Sequence, residues 1–174
     1  MLESPVIRLR ALEPLDAAAL LEWENLAQYW RSGNTLAPYS RRNVMRYIEE
    51  YTADPFSSGE LRLVIEARGQ GAPRPVGFIE LYNVQVRHRR ACVGLLVAPR
   101  FQRRGYAGGA LALMEGYCRE HLGLHQLLAA VEEGNAPSRG LFLGAGYTPL
   151  ATLPDYLGGG PGAFRDALLL HKLL

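Results

Sequence analysis

The chain reads as an α/β protein, and three observations lead there. From Ala91 onward, apolar runs of strand length alternate with helical patterns in the order strand, helix, strand, helix, strand. Before them, two apolar runs, Leu61 to Ala67 and Pro75 to Tyr82, flank Arg68-Gly-Gln-Gly-Ala-Pro-Arg-Pro75, a turn composition that predicts an antiparallel hairpin. Finally, 174 residues, 48% hydrophobic and 21% charged, suffice for one domain with its own buried core, so a single domain over residues 1–174 is expected.

Each element has a local reason. Val6 to Leu12 alternates apolar residues with Arg8 and Arg10, the pattern of a half-buried strand. Pro14 opens a helix, where proline is tolerated, with Leu15, Ala18, Ala19, Leu21 and Leu26 as its expected apolar face. An irregular aromatic stretch follows, with Tyr29, Trp30 and Tyr39 punctuated by Gly33 and Pro38. Ser40 is placed to cap a second helix bearing Val44, Tyr47, Ile48 and Tyr51. After the hairpin, Ala91 to Ala98 is a continuous apolar run, as in a strand covered on both faces. Ala107 to about His121 reads as a long helix, Leu127 to Val131 as a buried strand and Ala136 to Gly144 as a short helix. Gly158 to Gly162 reads as loop and Ala163 to Leu174 as a final strand.

Composition excludes several functions. The 19 basic residues nearly balance 17 acidic ones, which argues against nucleic acid as a partner. The basic set is nonetheless lopsided: Lys172 is its one lysine, and six arginines fall between Arg87 and Arg104. Two cysteines, Cys92 and Cys118, make neither a disulfide framework nor a four-ligand zinc site, so reduced, largely buried thiols and no metal are expected. Charges interrupt every apolar run among the first twenty residues, and no run approaches the ~18 to 20 apolar residues a membrane span needs. A cytoplasmic protein with no membrane partner is the expectation.

The chemistry concentrates where the Ala91 to Ala98 strand meets the next helix. Gln102-Arg103-Arg104-Gly105-Tyr106-Ala107 forms a glycine-bearing loop at a helix N-terminus, where backbone N–H groups and the helix dipole favour an anion. Arg100, Arg103 and Arg104 flank it, and guanidinium forks match phosphate geometry. Neither a Walker-type loop, which needs a lysine, nor a dinucleotide-binding G-x-G-x-x-G is present.

The loop fits [QR]-x-x-G-x-[GA] and resembles the pyrophosphate loop of the GNAT superfamily of N-acetyltransferases. Asn135-Ala-Pro-Ser138, followed by Leu141-Phe142 and Gly146-Tyr147, resembles a second signature of that family. Val76-Gly-Phe-Ile-Glu80 resembles its third strand, and His88-Arg-Arg-Ala91 precedes the fourth as in the spermidine/diamine and ribosomal-protein-alanine branch. The resemblance spans Val6 to Leu174. It implies a GNAT fold, a central mixed twisted sheet of about seven strands flanked by about four helices, and acetyl-CoA as co-substrate.

It also implies roles. Leu95, Leu96 and Val97 would pair with pantetheine, and Gln102 to Ala107 would hold the pyrophosphate, helped by Arg103 and Arg104. Asn135, Ser138 and Phe142 would lie beside the pantetheine arm and thiol, although Asn135 also fits a helix N-cap. Relatives often carry a glutamate where this chain has Cys92 and a thiolate-protonating tyrosine where it has Phe142. Glu80 is therefore the expected base and Ser138 the expected thiolate donor, with Tyr82 and His88 as further candidates. Plain alternation would instead point Glu80 to solvent, and Ser138 would be an ordinary helix-start serine.

In this fold the segment Leu26 to Tyr51 forms one acceptor wall. Between Leu26 and Ile48 it holds no Asp or Glu but Trp30, Arg31, Tyr39, Arg41, Arg42 and Arg46. Such a wall argues against a polyamine and fits an amine bearing a carboxylate or phosphate, or a peptide N-terminus; Trp30 and Tyr39 equally fit as packing residues. The expected function is acetyl transfer to a primary amine of a small molecule or peptide, with Trp30, Tyr39, Glu80 and Tyr82 at the acceptor. The alternative is a silent acyl-CoA-binding module. Many members of this family dimerise through late strands, so the resemblance also implies a homodimer, with the apolar run Ala167 to Leu170 either serving that contact or filling the core.

Overall fold

The computed structural model describes residues 2–30, 37–69, 71–160 and 162–174. Seven strands form one sheet in the order β1-β2-β3-β4-β5-β7-β6. They are β1 (Ile7–Arg10), β2 (Leu61–Ala67), β3 (Arg74–Gln85), β4 (Arg90–Val97), β5 (Gln126–Glu132), β6 (Thr148–Gly160) and β7 (Ala163–Leu173). Every neighbouring pair is antiparallel except β4 and β5, which are parallel and joined by the crossover helix α5 (Tyr106–Glu120). The other helices are α1 (Ala17–Glu24), the four-residue α2 (Ala27–Trp30), α3 (Arg41–Glu50), the four-residue α4 (Pro55–Ser58) and α6 (Ala136–Gly144). Four of these described helices, α1, α3, α5 and α6, have eight or more residues, and with the mixed sheet they match the architecture expected from the sequence.

The sheet's two faces are covered differently. Register places Arg62 opposite Glu80, Glu80 opposite Gly94, and Tyr82 opposite Cys92, so these side chains share one face. α1 and α3 cover it: Glu24 pairs with Arg62, and Tyr47 lies against the Arg62 guanidinium. On the other face α5 crosses so closely that a Cβ at Gly109 would lie 3.2 Å from Ile7 Cδ1. Ala110, Leu111, Met114 and Cys118 of α5 are fully buried there.

Some expectations need correction. Leu15 is 94% exposed. The 3-10 turn Pro14–Asp16 precedes α1 and shifts its phase, so Ala17, Leu20 and Trp23 point inward instead. The segment Gly158 to Gly160 belongs to β6, whose earlier part was not anticipated: proline at positions 149 and 154 and three register breaks hide an edge strand. Cys118 is buried, whereas Cys92 is only half-buried.

The arginine cluster is mostly structural at its start. Arg89, at φ 49°, donates from Nε to the Gly123 carbonyl at 2.6 Å, while its own carbonyl accepts from His125 and Gln126. Arg90 donates to Gln85 Oε1 at 2.9 Å. These bonds fasten the β3–β4 turn to the start of β5. Lys172 is paired at 2.6 Å with the buried Glu115, tying β7 to α5.

Candidate active site

β4 and β5 pair only at their beginnings, through Arg90, Ala91 and Cys92 opposite Gln126, Leu127 and Leu128. Beyond that point β4 keeps pairing with β3 and β5 with β7, but they no longer pair with each other. The sheet therefore opens along Val93 to Val97, leaving one strand edge available for an extended ligand. Leu95 and Leu96 are half-buried along this edge and Val97 is buried.

At the end of the opening, the turn Pro99–Phe101 leads into the loop and α5. Arg103 has φ 63° and Gly105, the N-cap of α5, has φ 80°. Such left-handed residues fold the loop back so that successive N–H groups point outward. The first intrahelical bond runs from Gly109 to the Gly105 carbonyl, so the N–H groups of Tyr106, Ala107 and Gly108 have no acceptor within the helix. The Arg103 side chain is exposed and makes no bond among the described residues. Arg74, Arg100 and Arg104 surround the Phe101 ring at 5.3, 5.0 and 6.0 Å. Exposed N–H groups and concentrated positive charge at one end of an open strand edge fit an extended ligand ending in a polyphosphate.

Across the opening, α6 starts after β5, beside α5, where a Cβ at Gly108 would lie 3.9 Å from Leu141 Cδ1. Asn135 Oδ1 accepts from the Ser138 N–H at 3.2 Å, so Asn135 is the helix N-cap. The Ser138 hydroxyl is half-buried and unengaged among the described residues. Phe142 is buried and meets Tyr147 edge-on at 5.0 Å, making it a core residue.

The opposite face, under α1 and α3, holds the acidic side chains. Glu80 is half-buried, neither sunk among hydrophobes nor free in solvent. Arg62 donates to its Oε2 and also to Glu24 Oε1 at 2.8 Å, while Phe78 and Tyr47 lie 4.5 and 5.4 Å from the guanidinium. Burial opposes the Arg62 charge, but Glu80, then Tyr47 and Glu24, outweigh it and raise its pKa above the ordinary value. Glu80 Oε1 lies beside Gly94, at 3.5 Å from the position a Cβ would take, and the Tyr82 ring is as close. Burial, then Cys92, Glu80 and Tyr156, push the Tyr82 phenol up to about 12. Burial also raises the Cys92 thiol, against an Asn83 hydrogen bond and the Arg90 charge. Both stay protonated at neutral pH.

Structure thus brings Glu80, Tyr82, Gly94 and Cys92 together beside the opening, with Ser138 and Asn135 on its α5–α6 side. Tyr39 docks its backbone on Asn25 through bonds of 2.8 and 2.9 Å, which joins the segment after α2 to the end of α1. Arg41, Arg42 and Arg46 are exposed, His88 is exposed on the β3–β4 turn, and Arg31 and the Trp30 side chain lie outside the described residues. Sequence reasoning missed Arg62, whose pairing with Glu80 becomes visible only once the β2–β3 register is known, and Glu24, which joins them through Arg62. Among the described residues no group of three or more His, Cys, Asp or Glu could hold a metal ion, and no helix is long and apolar enough to cross a membrane.

Known proteins share this fold. The spermidine N(1)-acetyltransferase of Escherichia coli strain K12 is 26% identical over 145 residues, 82% of this chain and 73% of that protein. The solved spermidine N-acetyltransferase from Vibrio cholerae, in complex with CoA and spermine, superposes with a TM-score of 0.81 at 24% identity, covering 96% and 95% of the two chains. Mycobacterium smegmatis RimJ in complex with CoA-disulfide gives 0.82 at 26% identity, covering 98% and 86%. The model of the acetyltransferase (GNAT) domain matches residues 7–148, which include the open edge of β4, the arginine-rich loop and the start of α6, and the chain belongs to that family.

Proposed function

We propose that the chain transfers an acetyl group from acetyl-CoA directly to a primary amine, with Glu80 as the proton acceptor and Ser138 as the donor to the departing sulfur. The observation behind this assignment is the Glu80 carboxylate, held through Oε2 by Arg62 while Oε1 lies beside Gly94, a residue of the β4 segment that has left β5. Acetyl-CoA supplies an activated acyl group, so the protein's tasks are to bind, orient and move protons. Leu95 to Val97 and the loop Gln102 to Ala107 would hold the co-substrate, with Arg103 and Arg104 against its phosphates. Asn135 and Phe142 shape the side opposite β4.

An alkylammonium with a pKa near ~10.4 costs about 4 to 5 kcal/mol to deprotonate at pH 7, so a carboxylate at the opening, acting directly or through water, has a large barrier to lower. The Glu80 carboxylate keeps one oxygen beyond its two bonds to Arg62, which favours a cationic amine approaching from the α1–α3 side. Arg41, Arg42 and Arg46 face solvent on α3, so the acceptor wall is less cationic than the sequence of residues 26–48 alone indicates. The acceptor is a small-molecule amine or a peptide N-terminus, with Tyr39, Tyr82 and Trp30 at its wall. Relatives named for spermidine place a polyamine on the list to be tested. A cytoplasmic single-domain protein that self-associates belongs to the same proposal; a relative solved as a dodecamer supports self-association.

Two observations favour a silent CoA-binding module instead: Phe142 is buried and cannot donate a proton, and Cys92 stays a thiol. Incubation with acetyl-CoA and spermidine, amino acids, aminoalkyl phosphates and short peptides, followed by thiol release, decides between them. Thiol release with at least one amine supports the enzyme. Stabilisation by CoA with no release from any amine supports the silent module.

A further inference from the structure

Val97 is buried at the end of β4, and its carbonyl faces the opening toward β5. That orientation follows from antiparallel alternation. The Ala98 N–H donates to the Val76 carbonyl at 2.9 Å, so residue 98 turns its polar groups to β3 and residue 97 turns them the other way. Two donors already occupy this carbonyl: Gln102 Nε2 at 3.0 Å and the Tyr29 hydroxyl at 3.3 Å. Gln102 Nε2 also donates to the Tyr29 oxygen at 3.1 Å. A carbonyl oxygen has two lone pairs, so Val97 is filled.

An extended ligand added to this edge needs the same oxygen, because strand addition works through backbone hydrogen bonds. Without any ligand, the carbonyl would keep only the longer Tyr29 bond, and its second lone pair would go unused unless another side chain supplied a donor. The Gln102 carboxamide supplies one, with the same donor chemistry as a secondary amide. We infer that Gln102 is an internal stand-in for an amide of the pantetheine arm, displaced from Val97 when CoA binds, and that Tyr29 passes the displacement on to α2. The inference rests on the acetyl-CoA reading of this edge. Gln102 is exposed, so its displaced carboxamide is taken up by water at little cost. Tyr29 then loses the bond that holds α2 to the loop after β4, and α2 leads into the segment whose Tyr39 docks on Asn25. CoA binding on one side of the sheet thereby loosens the acceptor side.

The test titrates CoA into wild type, Gln102→Leu and Tyr29→Phe, and follows amide hydrogen exchange in residues 27–30 with and without CoA. Removing the stand-in removes a competitor, so CoA should bind Gln102→Leu about three- to tenfold more tightly, the worth of one net hydrogen bond. In wild type CoA should speed exchange in α2; in Gln102→Leu exchange should already be fast and insensitive to CoA. Should Gln102→Leu fail to fold, Tyr29→Phe, which keeps the ring, should show the same direction with a smaller gain. Weaker or unchanged CoA binding by these variants, or α2 exchange in wild type that ignores CoA, would overturn the stand-in. Failure of wild type to bind CoA at all would instead overturn the acetyl-CoA reading on which it rests.

Discussion

Arg62 donates twice to a single oxygen of Glu80, through Nη2 at 2.6 Å and Nε at 2.8 Å, and leaves the other oxygen beside Gly94. Charge-assisted bonds of this kind fix a carboxylate's position and keep it accessible from one side. Glu80→Gln preserves shape and removes the basic oxygen. It should lower kcat about 10²- to 10⁴-fold, the usual worth of a positioned general base. CoA affinity, read by calorimetry, should change little, because the open edge of β4 is formed by other residues. A kcat within threefold of wild type would remove Glu80 from the chemistry.

Gly77 and Gly94 make a matched pair on facing strands. A Cβ at Gly77 would fall 2.0 Å from the Leu96 carbonyl oxygen and 2.9 Å from Val97 Cα, both backbone atoms of β4. Gly77→Ala must push β3 and β4 apart, and a loss of about 3 kcal/mol or more in chemical denaturation is expected for such a core clash. At Gly94 the nearest atom would be 3.5 Å away, an ordinary contact, so Gly94→Ala should cost less than about 1 kcal/mol. Equal losses in the two variants would mean that the strand spacing is misjudged.

The loop at residues 102–107 was legible because its information is local: a glycine needing positive φ, clustered arginines and a helix start all lie within six consecutive positions. Strand Leu61 to Ala67 and helix Ala136 to Gly144 were legible to their last residues for the same reason. What escaped depends on distant partners. Arg62 and Glu80 are 18 residues apart and meet only through register. Likewise Arg89 has no role that the sequence assigns, and its bond to the Gly123 carbonyl, 34 residues away, gives it a structural task. β6 escaped because an edge strand with prolines and register breaks has neither a period-2 pattern nor an apolar run.

Arg103 combines two effects that substitution can separate. Its φ of 63° costs a non-glycine residue about 1 to 2 kcal/mol, while its side chain adds positive charge beside the exposed N–H groups. Arg103→Gly and Arg103→Ala should both weaken CoA binding and flatten its dependence on salt. They should differ in stability: the glycine variant should melt no lower than wild type, and the alanine variant lower than the glycine variant. A stability order with alanine above glycine would show that the loop does not need its left-handed turn.

Alkaline pH should weaken the fold through Cys118. Burial, with Glu115 adding to it, pushes this thiol from an ordinary 9.0 up to about 12. Between those values the unfolded chain has lost the proton and the folded chain still holds it, so stability falls as pH rises. The slope approaches about 1.4 kcal/mol per pH unit for one proton. Below pH 9 this contribution is fully present. Cys118→Ala should remove this part of the decline between pH 9 and 12, seen as a flatter plot of denaturation midpoint against pH. Parallel plots for the two proteins would show that the Cys118 thiol does not titrate across this window.

Asn135 and Ser138 sit three residues apart at the start of α6 and divide capping from chemistry. Asn135 Oδ1 accepts the Ser138 N–H, so Asn135→Ala deprives a helix N-terminus of its cap and should cost about 0.5 to 2 kcal/mol in stability. The Ser138 hydroxyl makes no bond that stabilises the helix among the described residues, so Ser138→Ala should leave the denaturation midpoint within about 0.5 kcal/mol of wild type. Its effect should fall on turnover: with no hydroxyl to donate a hydrogen bond to the departing thiolate, kcat should drop while CoA affinity stays within a fewfold of wild type. A poorer leaving group is the reason, so the deficit should shrink with a thioester whose thiol is more acidic than that of CoA. If Ser138→Ala instead loses stability and keeps its turnover, the serine is a helix-start residue and sulfur protonation falls to water or to another group at the opening.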